Sequence, residues 1–293
     1  MSNFSYRLGV DVGGSHITCA LIDAVTCTLL PDRALRADIH THSDSDTILN
    51  EFAQVISKVA GEHLREVCTI GFAFPGPFDY EQGICLIPPE LAKYEKLFGV
   101  NIKTELMQRL RFKGDMYFMN DAACFAIGEY RMGGARGSKR TLALAIGTGF
   151  GSTFLAEGKP ITHGPAVPAD GMLWHVPYNG DIADETFSSR GLVKAWKVAT
   201  GETIAGVKEL DALARTGNQQ ALAVFDRWGS QMAECLNPWL SACEVDTIVL
   251  GGNIAKSWDF FVPALKRGIN KAIRVAPAEL GESAQMIGAA LIG

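Results

Sequence analysis

No stretch of this sequence approaches the ~18 consecutive apolar residues that a membrane-spanning helix requires, which excludes a transmembrane role. Basic charge is not in excess either. Lys+Arg 27 against Asp+Glu 32 leaves a formal charge of −5, with no broad basic surface to neutralise a phosphate backbone, so nucleic acid is not expected as a partner. The seven cysteines, at 19, 27, 68, 85, 124, 235 and 243, are an odd set with no CxC or CxxC spacing. That excludes a disulfide framework or a zinc knuckle as a reading and leaves reduced thiols in a cytoplasmic protein. Low-complexity segments and linker-like charge runs are absent as well. Hydrophobic residues at 47% and charged residues at 20% exclude a disordered chain, and 293 residues suit two domains better than one core.

What the sequence has in quantity is glycine, 31 residues, or about 11% against a usual ~7%. Tyr6 to Asp23 reads as strand, Gly13-Gly14 turn and strand; Arg140 to Ala156 repeats the plan around Gly147-Thr-Gly149. The repeat predicts two similar lobes facing one cleft, each offering one glycine hairpin. Asp46 to His63 carries Ile48, Leu49, Phe52, Val55, Ile56 and Val59 at helical spacing, with Ser45 or Asp46 as N-cap. Glu66 to Phe74 and Asp115 to Met119 read as buried strands, the first ended by Pro75-Gly-Pro77, the second by Asn120-Asp121 before a helix over 122–131. Residues 158–180 form a loop region, 221–240 a helix ended or kinked at Pro238, Thr247 to Gly252 a strand, 260–272 a helix, and 285–292 a helix packing back on the first lobe. Alternating strands and helices predict an α/β fold with a mainly parallel centre.

Glycine turns bare backbone N–H groups that can approach phosphate oxygens, because no Cβ intervenes. Two such turns and the Gly251-Gly252 pair outline a nucleotide site. A P-loop is excluded, since GxxxxGK[ST] does not occur. A dinucleotide fold is poorly supported: a strand-like Ser-Thr-Phe-Leu follows Gly151, where that fold requires a helix.

Asp11-Val-Gly-Gly-Ser-His16, Gly71-Phe-Ala-Phe-Pro-Gly-Pro-Phe-Asp79, Asn120-Asp-Ala-Ala123, Gly147-Thr-Gly-Phe-Gly151 and Ile248-Val-Leu-Gly-Gly252, in this order, resemble the ROK family of sugar kinases within the actin/hexokinase/Hsp70 ATPase superfamily. The resemblance covers nearly the whole chain. It implies two ribonuclease-H-like lobes around a central cleft, residues 1–119 completed by 279–293 and residues 120–278, closing on ATP, Mg²⁺ and a hexose or hexose derivative. Phosphoryl transfer asks for phosphate cradles, a carboxylate for Mg²⁺ and an acceptor for the hydroxyl proton. By resemblance Asp11 holds Mg²⁺ through water and Asp121 is the general base. Gly13, Gly14, Ser15, His16, Gly147, Thr148 and Gly149 bracket the phosphates, and Gly251, Gly252 and Asn253 contact adenosine. Gly76, Asn120, Asp121 and His175, with Asp184 or Glu185, face the sugar. Asn120-Asp121 also reads as a helix cap, which does not exclude catalysis. Family dimerisation is a habit that no residue pattern here demonstrates.

The sugar side departs from the family. Met172 stands where the first Glu of its Glu-x-x-His belongs, and residues 176–186 contain no cysteine, so structural zinc is not expected. Losing one of two carboxylates predicts a shifted or broadened sugar preference. His40-Thr-His42 with Asp44 and Asp46 imitates a hydrolase metal motif but reads as a loop. The five tryptophans read as core, with Trp174 beside His175 placed to cover a sugar face. The alternative is a non-catalytic sugar sensor of the same family. Its repressors carry a DNA-binding domain ahead of the first hairpin, where few residues precede Leu8 here. Retention of Asp121 argues against the sensor.

Overall fold

Val10, Val12 and Ile17 flank the Gly13-Gly14 pair, and apolar alternation on both sides of a glycine turn closes an antiparallel hairpin. The computed structural model describes residues 5–91 and 93–293 and pairs β1 (Tyr6–Val12) with β2 (His16–Asp23) in this way. Residues 1–4 of the expected first lobe lie outside the described residues. β3 (Leu29–Asp38) extends the sheet antiparallel to β2. It alternates half-buried with exposed positions and carries Asp32, Arg33, Arg36 and Asp38, the polar character of an edge strand. α1 (Ser45–Ala60) follows, capped by Asp44 rather than Ser45 or Asp46: the Asp44 carboxylate accepts from the Thr47 N–H at 2.9 Å. The helix stops at Ala60 and tightens into a 3₁₀ segment, Gly61–Glu66. β4 (Val67–Phe74), a short ribbon β5 (Phe78–Asp79) with β6 (Ile84–Cys85), α2 (Ile102–Leu110), β7 (Asp115–Asn120) and α3 (Asp121–Met132) complete this stretch. The strand order is β3-β2-β1-β4-β7, with β1, β4 and β7 parallel.

The second stretch repeats the topology. β8 (Arg140–Ile146) and β9 (Phe150–Ala156) form the second glycine hairpin, followed by β10 (Lys159–Pro160), a ribbon of β11 (Pro177–Tyr178) and β12 (Asp181–Ile182), α4 (Ala183–Phe187), α5 (Ser189–Thr200) and α6 (Val207–Arg215). α7 (Gln219–Ala242), β13 (Thr247–Gly251), α8 (Trp258–Gly268) and β14 (Arg274–Pro277) finish it, in sheet order β10-β9-β8-β13-β14. Pro238 does not end α7, which runs on to Ala242. Phe150, Phe187, Trp228 and Phe261 form a run of ring contacts in its core; Phe72, Phe74, Phe78 and Phe118 do the same in the first. No helix among the described residues is long and apolar enough to cross a membrane.

The compact units are Met1–Met132 with Glu282–Gly293, and Gly133–Gly281. The boundary falls after α3, not at 119/120, because α3 is fastened to the last helix, α9 (Ser283–Ala290). A Cβ on Gly128 would stand 2.1 Å from the Ala284 carbonyl oxygen, and one on Gly288 1.8 Å from that of Cys124. The two helices therefore cross at backbone contact, which only glycine permits. α9 also lies across the sheet over Gly9 and Gly71, which are register partners on β1 and β4.

Candidate active site

In the first unit the candidate residues gather at the carboxyl ends of the parallel strands, where open α/β sheets bind ligands. Asp11 pairs with Ala73, Ala73 with Met119, and Phe74 with Asn120, so the ends of β1, β4 and β7 are level. Asp11 and Asp121 both face this edge, half-buried. Burial, reinforced by repulsion from Asp121, pushes the Asp11 carboxyl up to about 7 against a weaker opposing effect of Arg36. Burial raises Asp121 as well, opposed by the Ala122 N–H hydrogen bond and by the Lys93 ammonium. Lys93 reaches over Gly14: its Nζ lies 3.7 Å from where a Cβ on that glycine would stand.

Around these carboxylates the structure assigns partners that sequence reasoning did not supply. The hydroxyl of Tyr94, a fully buried side chain, donates to the Gly13 carbonyl at 2.6 Å. The His16 ring covers the Cα of Gly13, and desolvation followed by the Arg36 charge lowers its pKa, so it meets the turn as a neutral imidazole. Ser15 is exposed, and its carbonyl accepts from the Ile39 N–H. Asn120 turns its side-chain oxygen inward to cap α3, accepting from Ala122 N–H at 3.0 Å and Ala123 N–H at 3.4 Å. Its amide nitrogen points to the Tyr80 hydroxyl at 3.5 Å, and Tyr80 Oη in turn lies 3.2 Å from a Cβ position on Gly76. Asn120, Tyr80 and Gly76 thus form one polar corner. Tyr94→Phe removes a donor and leaves the Gly13 carbonyl unsatisfied, so a loss of about 1 kcal/mol is expected in denaturant unfolding; an unchanged midpoint would show that this contact does not hold the turn.

In the second unit the Gly147-Thr-Gly149 turn sits beside the Gly251-Gly252-Asn253 loop, with a Cβ on Gly147 3.9 Å from the Asn253 amide nitrogen. Gly252 has φ +86° and no room for a side chain, since a Cβ would come within 2.3 Å of the Ile146 carbonyl oxygen. The sugar-side candidates are also adjacent: Asp184 N–H donates to the Trp174 carbonyl at 2.9 Å and Ala183 N–H to that of Val176 at 2.8 Å. This ties the 172–176 segment, with His175 half-buried against the Trp174 ring, to Asp184 and Glu185. The two acids differ in what they have left to offer. Asp184 Oδ1 accepts from Phe150 N–H at 2.6 Å and Oδ2 from Arg190 at 2.5 Å, whereas Glu185 gives one oxygen to Arg190 at 3.0 Å.

Among the described residues no group of three or more His, Cys, Asp or Glu could hold a metal ion by itself. Mg²⁺ asks for less: it keeps several waters and takes one or two carboxylates plus substrate phosphates. Asp11 and Asp121, two carboxylates raised by burial, Asp11 also by the charge of Asp121, fit such an ion, whose charge would relieve both.

Over 97% of its length the chain is 25% identical to the glucokinase of Thermotoga maritima, covering 96% of that protein. It is also 25% identical to the N-acetyl-D-glucosamine kinase of Haemophilus influenzae, covering 97% of this chain and 98% of that one. The crystal structure of a ROK family glucokinase from Streptomyces griseus, in complex with glucose and AMPPNP, superposes with a TM-score of 0.73 at 21% identity over 97% of this chain and 98% of the other. The fold of each unit, with its glycine hairpin, is the actin-like ATPase fold expected from the motifs. The ROK family pattern runs from residue 7 to residue 293, essentially the full chain, and the protein belongs to that family.

Proposed function

We propose that this protein transfers the γ-phosphoryl group of ATP to a hydroxyl of a hexose or hexose derivative. The observation that carries the reading is Asp121: a half-buried carboxylate at the end of β7, raised by burial, beside Asp11 and the first glycine turn. A carboxylate so placed takes the hydroxyl proton as the sugar oxygen bonds to phosphorus and ADP departs. A carboxylate raised by burial is a stronger proton acceptor than an ordinary exposed one. Asp11 would hold Mg²⁺ through water, and the ion, when bound, supplies charge neutralisation for the phosphates. Backbone amides of the Gly13-Gly14 and Gly147–Gly149 turns serve the phosphates, and Gly251, Gly252 and Asn253 the adenosine. The Asn120–Tyr80–Gly76 corner, His175 and Glu185 serve the sugar; Glu185 is favoured over Asp184 because only one of its oxygens is engaged.

Met172 in place of a carboxylate supports a sugar preference different from that of a glucose-selective enzyme. Sugar-dependent ADP release from purified protein, measured over glucose, mannose, N-acetylglucosamine and N-acetylmannosamine, tests both statements. Release with at least one of these is expected, with no strong preference for glucose. Nucleotide binding without release in the presence of any of them would refute the kinase reading.

A further inference from the structure

The Gly147-Thr-Gly149 turn is gripped from one side only. Two of its three carbonyls are drawn to the start of α5: Gly147 C=O accepts from Ser189 N–H at 2.8 Å and from Ser189 Oγ at 2.7 Å, and Thr148 C=O accepts from Arg190 Nη1 at 3.0 Å. The third carbonyl, Gly149 C=O, accepts from Gly147 N–H at 3.0 Å and closes the turn on itself. Phe150 N–H, at the exit, is taken by Asp184 Oδ1 at 2.6 Å. Arg190 is held in turn by Asp184 Oδ2 at 2.5 Å and Glu185 Oε1 at 3.0 Å. What remains is the pair of amides at Thr148 and Gly149, for which no acceptor occurs among the described residues.

This is the polarity an anion cradle needs. A peptide plane presents either its N–H or its C=O to a bound phosphate, and a flip of the Gly147–Thr148 or Thr148–Gly149 plane would set an oxygen dipole against the anion. Glycine permits such a flip at almost no steric cost. Something other than the turn's own sequence must therefore fix its direction. We propose that Asp184 and Arg190 are positioning residues that preset the Gly147–Gly149 turn with its amides outward for a nucleotide polyphosphate, and that Asp184 is not a sugar ligand. The proposal rests on the reading that this turn binds nucleotide phosphates.

The energetics separate a positioning role from a merely structural one. Arg190 is half exposed, and exposed ion pairs contribute little to folding. Yet charge-assisted hydrogen bonds are directional, and a misplacement of about 1 Å in a phosphate site costs up to about 100-fold. Affinity for nucleotide is therefore expected to respond far more than stability.

The test compares wild type, Arg190→Met, Arg190→Lys and Asp184→Asn by calorimetric titration with MgADP in the absence of sugar, by KM for ATP and for sugar, and by thermal unfolding. Arg190→Met should weaken MgADP by about 10-fold and raise the ATP KM in parallel, with the sugar KM within about twofold and Tm nearly unchanged. Arg190→Lys keeps one carboxylate contact and should recover part of the affinity. Asp184→Asn retains an acceptor for Phe150 N–H but not the charge that holds Arg190, so it should fall between. A rise in sugar KM with MgADP affinity intact would overturn the proposal, as would no change in either or no MgADP binding by the wild type. MgADP binding without turnover on any sugar would defeat the kinase reading alone, and the titration would still decide the brace.

Discussion

Asp121→Asn is expected to lower turnover by about 10²–10⁴-fold while leaving sugar and nucleotide binding in place, and to raise the melting temperature of the ligand-free protein at neutral pH. The two effects have one cause. Asp121 shares its end of the sheet with Asp11, and burial holds its carboxyl above the ordinary range. A group whose folded-state pKa exceeds its unfolded value weakens the fold when it ionises, and the weakening grows as pH rises through the unfolded value toward the folded one. The substitution retains an oxygen that can accept the Ala122 N–H, which Asp121 now accepts at 2.8 Å, while removing the charge. It also relieves Asp11, whose carboxyl stands at about 7 partly because of Asp121. The gap in Tm between variant and wild type should therefore vanish below about pH 3.8, the ordinary carboxylate value, and open as pH increases. Wild-type kcat/KM should fall on the acid side as the base takes up its proton. A variant that turns over sugar at the wild-type rate would remove Asp121 from the chemistry and leave the sensor as the better reading. A variant melting below wild type at neutral pH would show the charge to be stabilised by groups other than those described.

Gly71→Ala is expected to cost about 3 kcal/mol or more and to abolish activity, although the residue touches no proposed ligand. Its added methyl would stand 1.8 Å from the Ala289 carbonyl oxygen, and the neighbouring Gly9 faces Met286 O at 1.9 Å in the same way. Both obstacles are backbone, so no side-chain rotation absorbs the clash. One turn of α9 rests on this pair of glycines, and α9 is pressed against α3 at Gly128 and Gly288. Lifting α9 must therefore shift α3, and the first residue of α3 is Asp121. Gly206→Ala is the matched control, since its backbone is extended and nothing lies within 4 Å of the added methyl. Denaturant unfolding of both variants checks the expectation: a Gly71→Ala midpoint as close to wild type as that of the control would mean that α9 yields without cost.

Much of the fold was legible because its signals are local. Alternation around Gly13-Gly14 and Gly147–Gly149 gave both hairpins, and the apolar run ended by Pro75 gave β4. The edge strand β3 escaped because Leu29 to Asp38 is too polar and too weakly buried to show a core face. The short helix α2 escaped because only Ile102, Leu106 and Leu110 mark its buried side. The lobe boundary was drawn too early because nothing within α3 itself reveals that α9, more than 150 residues later, packs on it.

The sequence by itself determined the family, the positions of the glycine turns and the identity of the carboxylates at the strand ends, since each depends on residues a few places apart. Only the tertiary structure decided what those groups meet. Tyr94 reaches Gly13 across 81 positions, Arg190 reaches Thr148 across 42, and Asp184 reaches Phe150 across 34. Hydrogen-bond partners and the burial that raises Asp11 and Asp121 arise from chain packing, so the direction a turn faces and the acidity of a carboxyl emerge only when distant segments are brought into contact.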